Sequence, residues 1–225
     1  MEVTLLNYTP EPDKTVAAAA RLCYSAKRPE GIWEGLGDQN SKELIEKLIE
    51  MGHESPMEHI TFTFAISGVS RTLSHQLVRH RIASFSQKSQ RYVSETNFTY
   101  VIPPSIARNP KARERYEGMM EALQRCYKEL REEVDKEDAR YILPNATTTQ
   151  LICTFNARSL FNFFKLRCCN RAQWEIRALS QQMLLEVKGV APAVFANMGA
   201  TCDIDGSCPE GSKSCGRYKV LVEGP

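Results

Sequence analysis

The densest polar stretch of the chain is Arg79-His80-Arg81-Ile82-Ala83-Ser84-Phe85-Ser86-Gln87-Lys88-Ser89-Gln90-Arg91-Tyr92. Three arginines are interleaved with hydroxyls and primary amides. A rigid guanidinium fork grips phosphate or carboxylate through paired hydrogen bonds, and neutral donors beside it suit a sugar and a base. A cation at a helix C-terminus would account for one arginine, not for three among Ser84, Ser86, Gln87, Ser89 and Gln90. A second block, Asn156-Ala157-Arg158-Ser159-Leu160-Phe161-Asn162-Phe163-Phe164-Lys165-Leu166-Arg167, mixes polar and aromatic residues at helical spacing. On a continuous helix Arg158 and Asn162 share a face, and Arg167 lies about 180° from Arg158 at ~100° per residue. Those faces would serve different ligands. The plainer reading is a packed helix with Leu160, Phe163 and Phe164 in the core and its arginines in solvent; both hold if they concern different faces.

Other chemistries lack their parts. His53-Glu54-Ser55-Pro56-Met57-Glu58-His59 brings two histidines close, but they are six apart with a proline between them. A zinc helix needs them four apart on one face. Neither GxGxxG nor GxxxxGK[ST] occurs, which argues against a Rossmann-held nicotinamide or flavin. Cys202, Cys208 and Cys215 sit among Gly206, Pro209, Gly211 and Gly216 without a CxxC pair or a fourth ligand. Reduced thiols packing a loop fit that pattern better than structural zinc, and no metal is expected. Cys168-Cys169, beside cations, reads as two small apolar side chains at a helix end rather than an activated thiol.

Net charge is only +2, yet it is unevenly placed. Residues 59–94 contain no acid and carry Arg71, Arg79, Arg81, Lys88 and Arg91. Residues 139–174 contain none and carry Arg140, Arg158, Lys165, Arg167 and Arg171. Brought together, these tracts would form an electropositive site on an otherwise acidic body. The 225 residues, 42% hydrophobic and 25% charged, are typical of a globular domain with a sizeable core. No apolar run approaches the roughly 18 residues of a membrane span, and Met1-Glu2-Val3-Thr4 does not read as a secretory signal. Eight cysteines in that context read as reduced thiols of a cytoplasmic protein.

The elements that must position these residues follow from periodicity. Leu44, Ile45, Leu48 and Ile49 predict a helix over Ser41–Met51, stopped by Gly52. Ile60, Phe62, Phe64 and Ile66 alternate with Thr61, Thr63, Ala65 and Ser67, which predicts a strand. Ser70 caps a predicted helix to about His80 anchored by Leu73, Leu77 and Val78, and Ser84–Gln90 reads as a loop. Asn109-Pro110 opens a long helix to about Val134, with Tyr116, Met120, Leu123, Tyr127 and Leu130 inward. A short helix over Lys136–Leu143 stops before Pro144. A strand over Thr147–Phe155 leads to helices at Ala157–Cys168 and Arg171–Lys188. A Gly- and Cys-rich tail over 199–225 ends on a short strand at Tyr218–Val222. Helices and strands mix without βαβ alternation, which predicts an α+β fold with no repeat or linker.

The first block resembles the signature RHRxxSxxxxSxRY of the flavin-dependent thymidylate synthases, and every fixed position is met. The second is similar to that family's NARSLxNFxxLR segment, and His53–Phe64 to the region ahead of the signature. The resemblance covers roughly residues 40–195. It implies a single domain over 1–225 with a complex α+β fold, a mixed or antiparallel sheet flanked by long helices, assembled as a homotetramer with active sites shared between subunits. It implies FAD held without a Rossmann motif, with dUMP, methylenetetrahydrofolate and NADPH as substrates. Carried over by position, Ser55, Arg79, His80, Arg81, Asn156, Arg158 and Asn162 would contact FAD. Gln76, Arg79, Gln87, Ser89, Gln90, Arg91, Arg140 and Arg167 would hold dUMP. His53 would lie near the flavin and the access route of the other substrates. Many members carry Asn-Glu where this chain has Ser86-Gln87, which changes the charge balance beside the phosphate.

The implied reaction sends hydride from NADPH through FAD to the uracil ring, with folate supplying only the methylene carbon. The products would be dTMP, tetrahydrofolate and NADP+. Arg167 matches the position that stabilises negative charge developing on the ring, a catalytic role that suits a side chain unable to lose its proton. Ser89 has no adjacent general base to make it a nucleophile. The alternative from another class is a nucleic-acid-binding protein, with the two basic tracts on phosphates and Phe85, Tyr92, Phe161 and Phe164 stacking on bases.

Overall fold

A computed structural model describes residues 1–218. The chain runs through β1 (Glu2–Tyr8), α1 (Pro12–Leu22), α2 (Pro29–Glu34), α3 (Asp38–Glu50), β2 (Thr61–Ser70), α4 (Arg71–Leu77) and β3 (Ala83–Gln87). It continues through α5 (Pro104–Ala107), α6 (Pro110–Glu133), α7 (Lys136–Ala139), β4 (Thr148–Asn156), α8 (Ala157–Arg167), α9 (Trp174–Val190), α10 (Pro192–Phe195) and α11 (Thr201–Asp205). The strands form one sheet in the order β1-β2-β4-β3. Thr63 bonds Thr154 while the Arg71 amide bonds the Thr147 carbonyl, so β2 and β4 run in opposite directions. The sheet is antiparallel and the fold α+β, as expected.

The chain's contacts group into two compact units. The first comprises Met1–Glu2, Ile66–Arg79 and Phe85–Ile152. Its longest element, α6, starts where the sequence says it should. The Asn109 side chain accepts from the Ala112 amide, and Pro110 fills the first turn, where a missing N–H costs nothing. Met120 and Tyr127 are its buried residues, and the Tyr127 hydroxyl accepts from the Glu95 amide. Ser70 caps α4 through the Leu73 amide, and Leu73 and Leu77 are buried. That helix ends at Leu77, not near His80, and Val78 is exposed rather than an anchor. Arg79-His80-Arg81 therefore lies past the helix.

The second unit comprises Val3–Ala65, His80–Ser84 and the chain from Cys153 onward. Phe62, Phe155, Phe161, Phe163, Phe164 and Phe195 are all buried, and Phe195 meets Phe62, Phe161 and Phe164 edge-on. Edge-to-face pairing sets the positive rim of one ring against the negative face of the next. The Asp13 carboxylate accepts from the Ala193 and Val194 amides, tying α1 to the chain after α9. Gly52 ends α3 at φ +69°, a conformation costly for any residue with a Cβ.

Several expectations need correction. Ser84–Gln90 is not a loop throughout: Ala83–Gln87 forms β3. Its run of serines and amides hid a strand whose pairing with β4, not its composition, holds it extended. The predicted helix over Lys136–Leu143 divides into α7 and a 3-10 turn at Arg140–Ile142, and α9 starts at Trp174 rather than Arg171. The tail folds into α11 and a 3-10 turn at Gly211–Lys213. The strand expected at Tyr218–Val222 lies, beyond Tyr218, outside the described residues.

Candidate active site

His80 and Arg167 meet in the second unit. The Arg167 Nε–H donates to His80 Nε2 at 3.1 Å, and the imidazole stands edge-on to Phe163 with ring centres 5.0 Å apart. An imidazole that accepts on Nε2 carries its proton on Nδ1. Burial, then the charge of Arg167, pushes the His80 pKa from 6.5 down to about 4. The ring is therefore neutral at working pH and serves as an acceptor that orients the guanidinium. An unfolded chain protonates this imidazole near 6.5, the folded chain only near 4. Between those values the unfolded state binds the extra proton, so stability falls as pH drops through that window. Denaturant midpoints at pH 7 and pH 4.5 should show a smaller loss for His80→Gln than for the parent. Equal losses would show that His80 does not supply this dependence.

Continuous helix α8 keeps the geometry read from the sequence: Arg158 and Asn162 on one face, Arg167 on another. Arg158 pairs with Glu58 and lies 3.8 Å from Glu54, and Lys165 Nζ sits 3.2 Å from Glu54. The Asn156 side chain accepts from the Ser159 amide, so its oxygen caps α8. Asn162, Ser55 and His53 are exposed. Arg79 and Arg81 are also exposed, and among the described residues their side chains make no hydrogen bond or ion pair. Arg167, Lys165 and Arg171 line a cavity of about 340 Å³ together with Cys202, Cys208 and Glu210 of the tail.

Within the first unit, Arg91 makes a two-point contact with Glu137, Nε at 2.8 Å and Nη2 at 3.0 Å. The Arg140 Nε–H donates to the Glu137 backbone carbonyl. Glu137 thus brings together two of the arginines expected to hold a phosphate. Burial and then Arg140 lower the Arg71 pKa, with Glu95 opposing, so two cations crowd here. The Gln87 amide donates to Thr149 Oγ1 across β3 and β4, and Ser89 Oγ accepts from the Arg91 amide. Gln76 and Gln90 are half-buried.

Five of the ten cations in the acid-free tracts pair with carboxylates from outside them. Lys88 pairs with Glu95, Arg91 with Glu137, Arg158 with Glu58, Lys165 with Glu54 and Arg171 with Glu210. Sequence reasoning gave no site role to Glu54, Glu58 or Glu137, which hold these cations; it counted Arg71 only as a tract cation and Phe163 only as core. A signal existed for Glu58 and Glu95, since they are the acids that bound the first tract.

Each unit thus carries arginine groups suited to an anionic ligand: Arg167, which donates to His80, in the second, and Arg91 with Arg140 around Glu137 in the first. The model of the thymidylate synthase complementing protein family matches residues 4–193. Flavin-dependent thymidylate synthases from Clostridium tetani and Geobacter sulfurreducens are each 49% identical to the chain, over 96% of it and 94% of the relative. That of Pyrococcus furiosus is 42% identical over 93% of the chain and 90% of its own length. The chain belongs to the thymidylate synthase complementing family.

Proposed function

We propose that the chain converts dUMP to dTMP, with methylenetetrahydrofolate giving the methylene carbon and NADPH-reduced FAD giving the hydride. Thymidylate synthesis, with dUMP and a folate as substrates, follows from family membership, and the relatives' shared name brings a flavin. FAD as that flavin, NADPH as reductant, a homotetramer with sites shared between subunits, a cytoplasmic location and one functional domain over 1–225 complete the reading. The carrying observation is Arg167 held by a neutral His80.

The donor set suits a flavin dinucleotide. Arg79 and Arg81 are two unengaged guanidiniums fit for a pyrophosphate, and exposed Asn162 adds an amide. His53, Ser55, His80, Asn156 and Arg158 complete the proposed set; Asn156 would donate through its nitrogen, its oxygen being spent on the cap. When bound, FAD supplies the hydride. For dUMP, Arg91 and Arg140 would exchange Glu137 for the phosphate, with Gln76, Arg79, Ser89 and Gln90 beside them. Gln87, whose amide nitrogen is committed to Thr149, would contribute its carbonyl to a ribose hydroxyl.

Activation of the uracil falls to Arg167. Methylation at C5 needs an electron-rich ring, and a fixed cation at O2 and N3 stabilises the charge that develops there. Neither buried thiol of the matched region is a prepared nucleophile. Burial pushes the Cys153 thiol up to about 12 and raises Cys168. Ser89 faces a backbone amide rather than a base. The nucleic-acid alternative has no support among the relatives, which are named flavin-dependent thymidylate synthases.

The purified protein should be yellow, or become so with FAD, and NADPH should bleach the 450 nm band. A colourless protein that takes up no flavin would end this reading.

A further inference from the structure

A cavity of about 560 Å³ opens in the second unit among α1, α2 and α3, and of the residues assigned above it includes only His53. One wall is apolar: Ile32 and Leu36 are buried, Leu44 packs against them, and Leu48 follows one turn along α3. The segment from Ala20 to His53 holds six carboxylates, Glu30, Glu34, Asp38, Glu43, Glu46 and Glu50, and none of them lines the cavity. The charged and titratable groups that do are Arg21, Tyr24, Lys27 and His53. Among the described residues the Arg21 and Lys27 side chains have no hydrogen bond or ion pair, and the Tyr24 ring beside them is 85% exposed. Helical spacing explains the sorting, since Leu44 and Leu48 repeat on the face that Glu43, Glu46 and Glu50 avoid.

An apolar wall, an exposed flat ring and two uncommitted cations in a lining free of carboxylates suit a flat apolar body bearing negative charge. We infer that this cavity binds a planar aromatic group carrying an anionic tail. Resting on the thymidylate synthase reading, two co-substrates have that chemistry: methylenetetrahydrofolate through its aminobenzoyl-glutamate portion, and NADPH through its adenosine phosphates. Arg21 and Lys27 take the carboxylates or phosphates, and the leucine wall takes the ring.

Two full-length variants separate space from charge. A Cβ added at Gly31, which lines the cavity within α2, meets nothing within 4 Å. Gly31→Leu therefore fills the cavity without crowding the fold, and leucine favours a helix over glycine. Arg21→Ala with Lys27→Ala keeps the space and removes the charge. The probes are 5-formyltetrahydrofolate and 2′-phospho-ADP-ribose, titrated by equilibrium dialysis into the flavin-loaded protein. We expect the wild type to bind at least one probe, and both variants to weaken that probe on the order of tenfold or more, the double alanine by losing charge-assisted bonds and Gly31→Leu by occupying the space of the ring. Flavin content and dUMP affinity should stay constant. Weakening of the folate probe assigns the cavity to the carbon donor; weakening of the phosphate probe assigns it to the reductant. The inference is overturned if the wild type binds neither probe, if the variants bind as the wild type does, or if flavin or dUMP is lost instead. A wild type that makes no dTMP would refute the thymidylate reading separately, with both dialysis arms still readable.

Discussion

Arg167→Lys should slow hydride transfer from reduced flavin to dUMP by about 10²–10³-fold, the usual cost of removing one directed donor from a developing oxyanion. Both side chains are cationic, so a site that needed only charge would lose little. The structure supplies a reason for more. Arg167 spends its Nε–H on the neutral His80, which fixes the plane of the guanidinium. A lysine ammonium is a point charge on a flexible stem and cannot bond His80 while also presenting a planar fork to O2 and N3. Flavin reduction by NADPH should change much less, because Arg167 is assigned to the nucleotide. Rapid-mixing absorbance at 450 nm separates the two half-reactions. Loss of FAD with dUMP affinity intact would move Arg167 to the flavin site, and wild-type rates in both halves would make it a cation without a catalytic role.

Phe163→Ala should cost about 3–5 kcal/mol of stability, the range for truncating a buried aromatic side chain. Phe163 is fully buried, and its ring meets Phe155 at 5.8 Å, Phe164 at 5.6 Å and His80 at 5.0 Å. The cavity left behind would remove the apolar flank that keeps His80 neutral and in line with Arg167. Urea titration measures the stability, and the His80 C–H shifts followed by NMR report its pKa, which should rise from about 4 toward 6.5. A loss below about 1 kcal/mol with an unmoved pKa would show that neighbours collapse into the space and that Phe163 does not position the pair.

Much of this architecture was legible because its signals are local. The alternation from Ile60 to Ser67 places Ile60, Phe62, Phe64 and Ile66 inside, and Asn109-Pro110 marks the start of α6 through a cap the sequence names outright. The strand at Ala83–Gln87 was not legible, because Ser-Phe-Ser-Gln has no composition that demands a strand; pairing with β4 imposes it. β1 and the helices before Asp38 also escaped, since Glu2–Tyr8 and Pro12–Leu22 lack a long apolar repeat and are held by distant partners such as Asp13 with the Ala193 amide. At the site, residue types told which groups bind anions but not what holds them. Glu137 is 46 positions from Arg91, and Glu58 is 100 from Arg158. A contact at such a distance follows from the fold, not from spacing.

The central claim is that reduced flavin gives the hydride and folate gives only carbon. The direct measurement is a single anaerobic turnover, in which protein with its flavin reduced by one equivalent of NADPH is mixed with dUMP and methylenetetrahydrofolate. The flavin band at 450 nm should return as dTMP and tetrahydrofolate form in equal amounts. Dihydrofolate as the folate product, or flavin that stays reduced while dTMP accumulates, would contradict it.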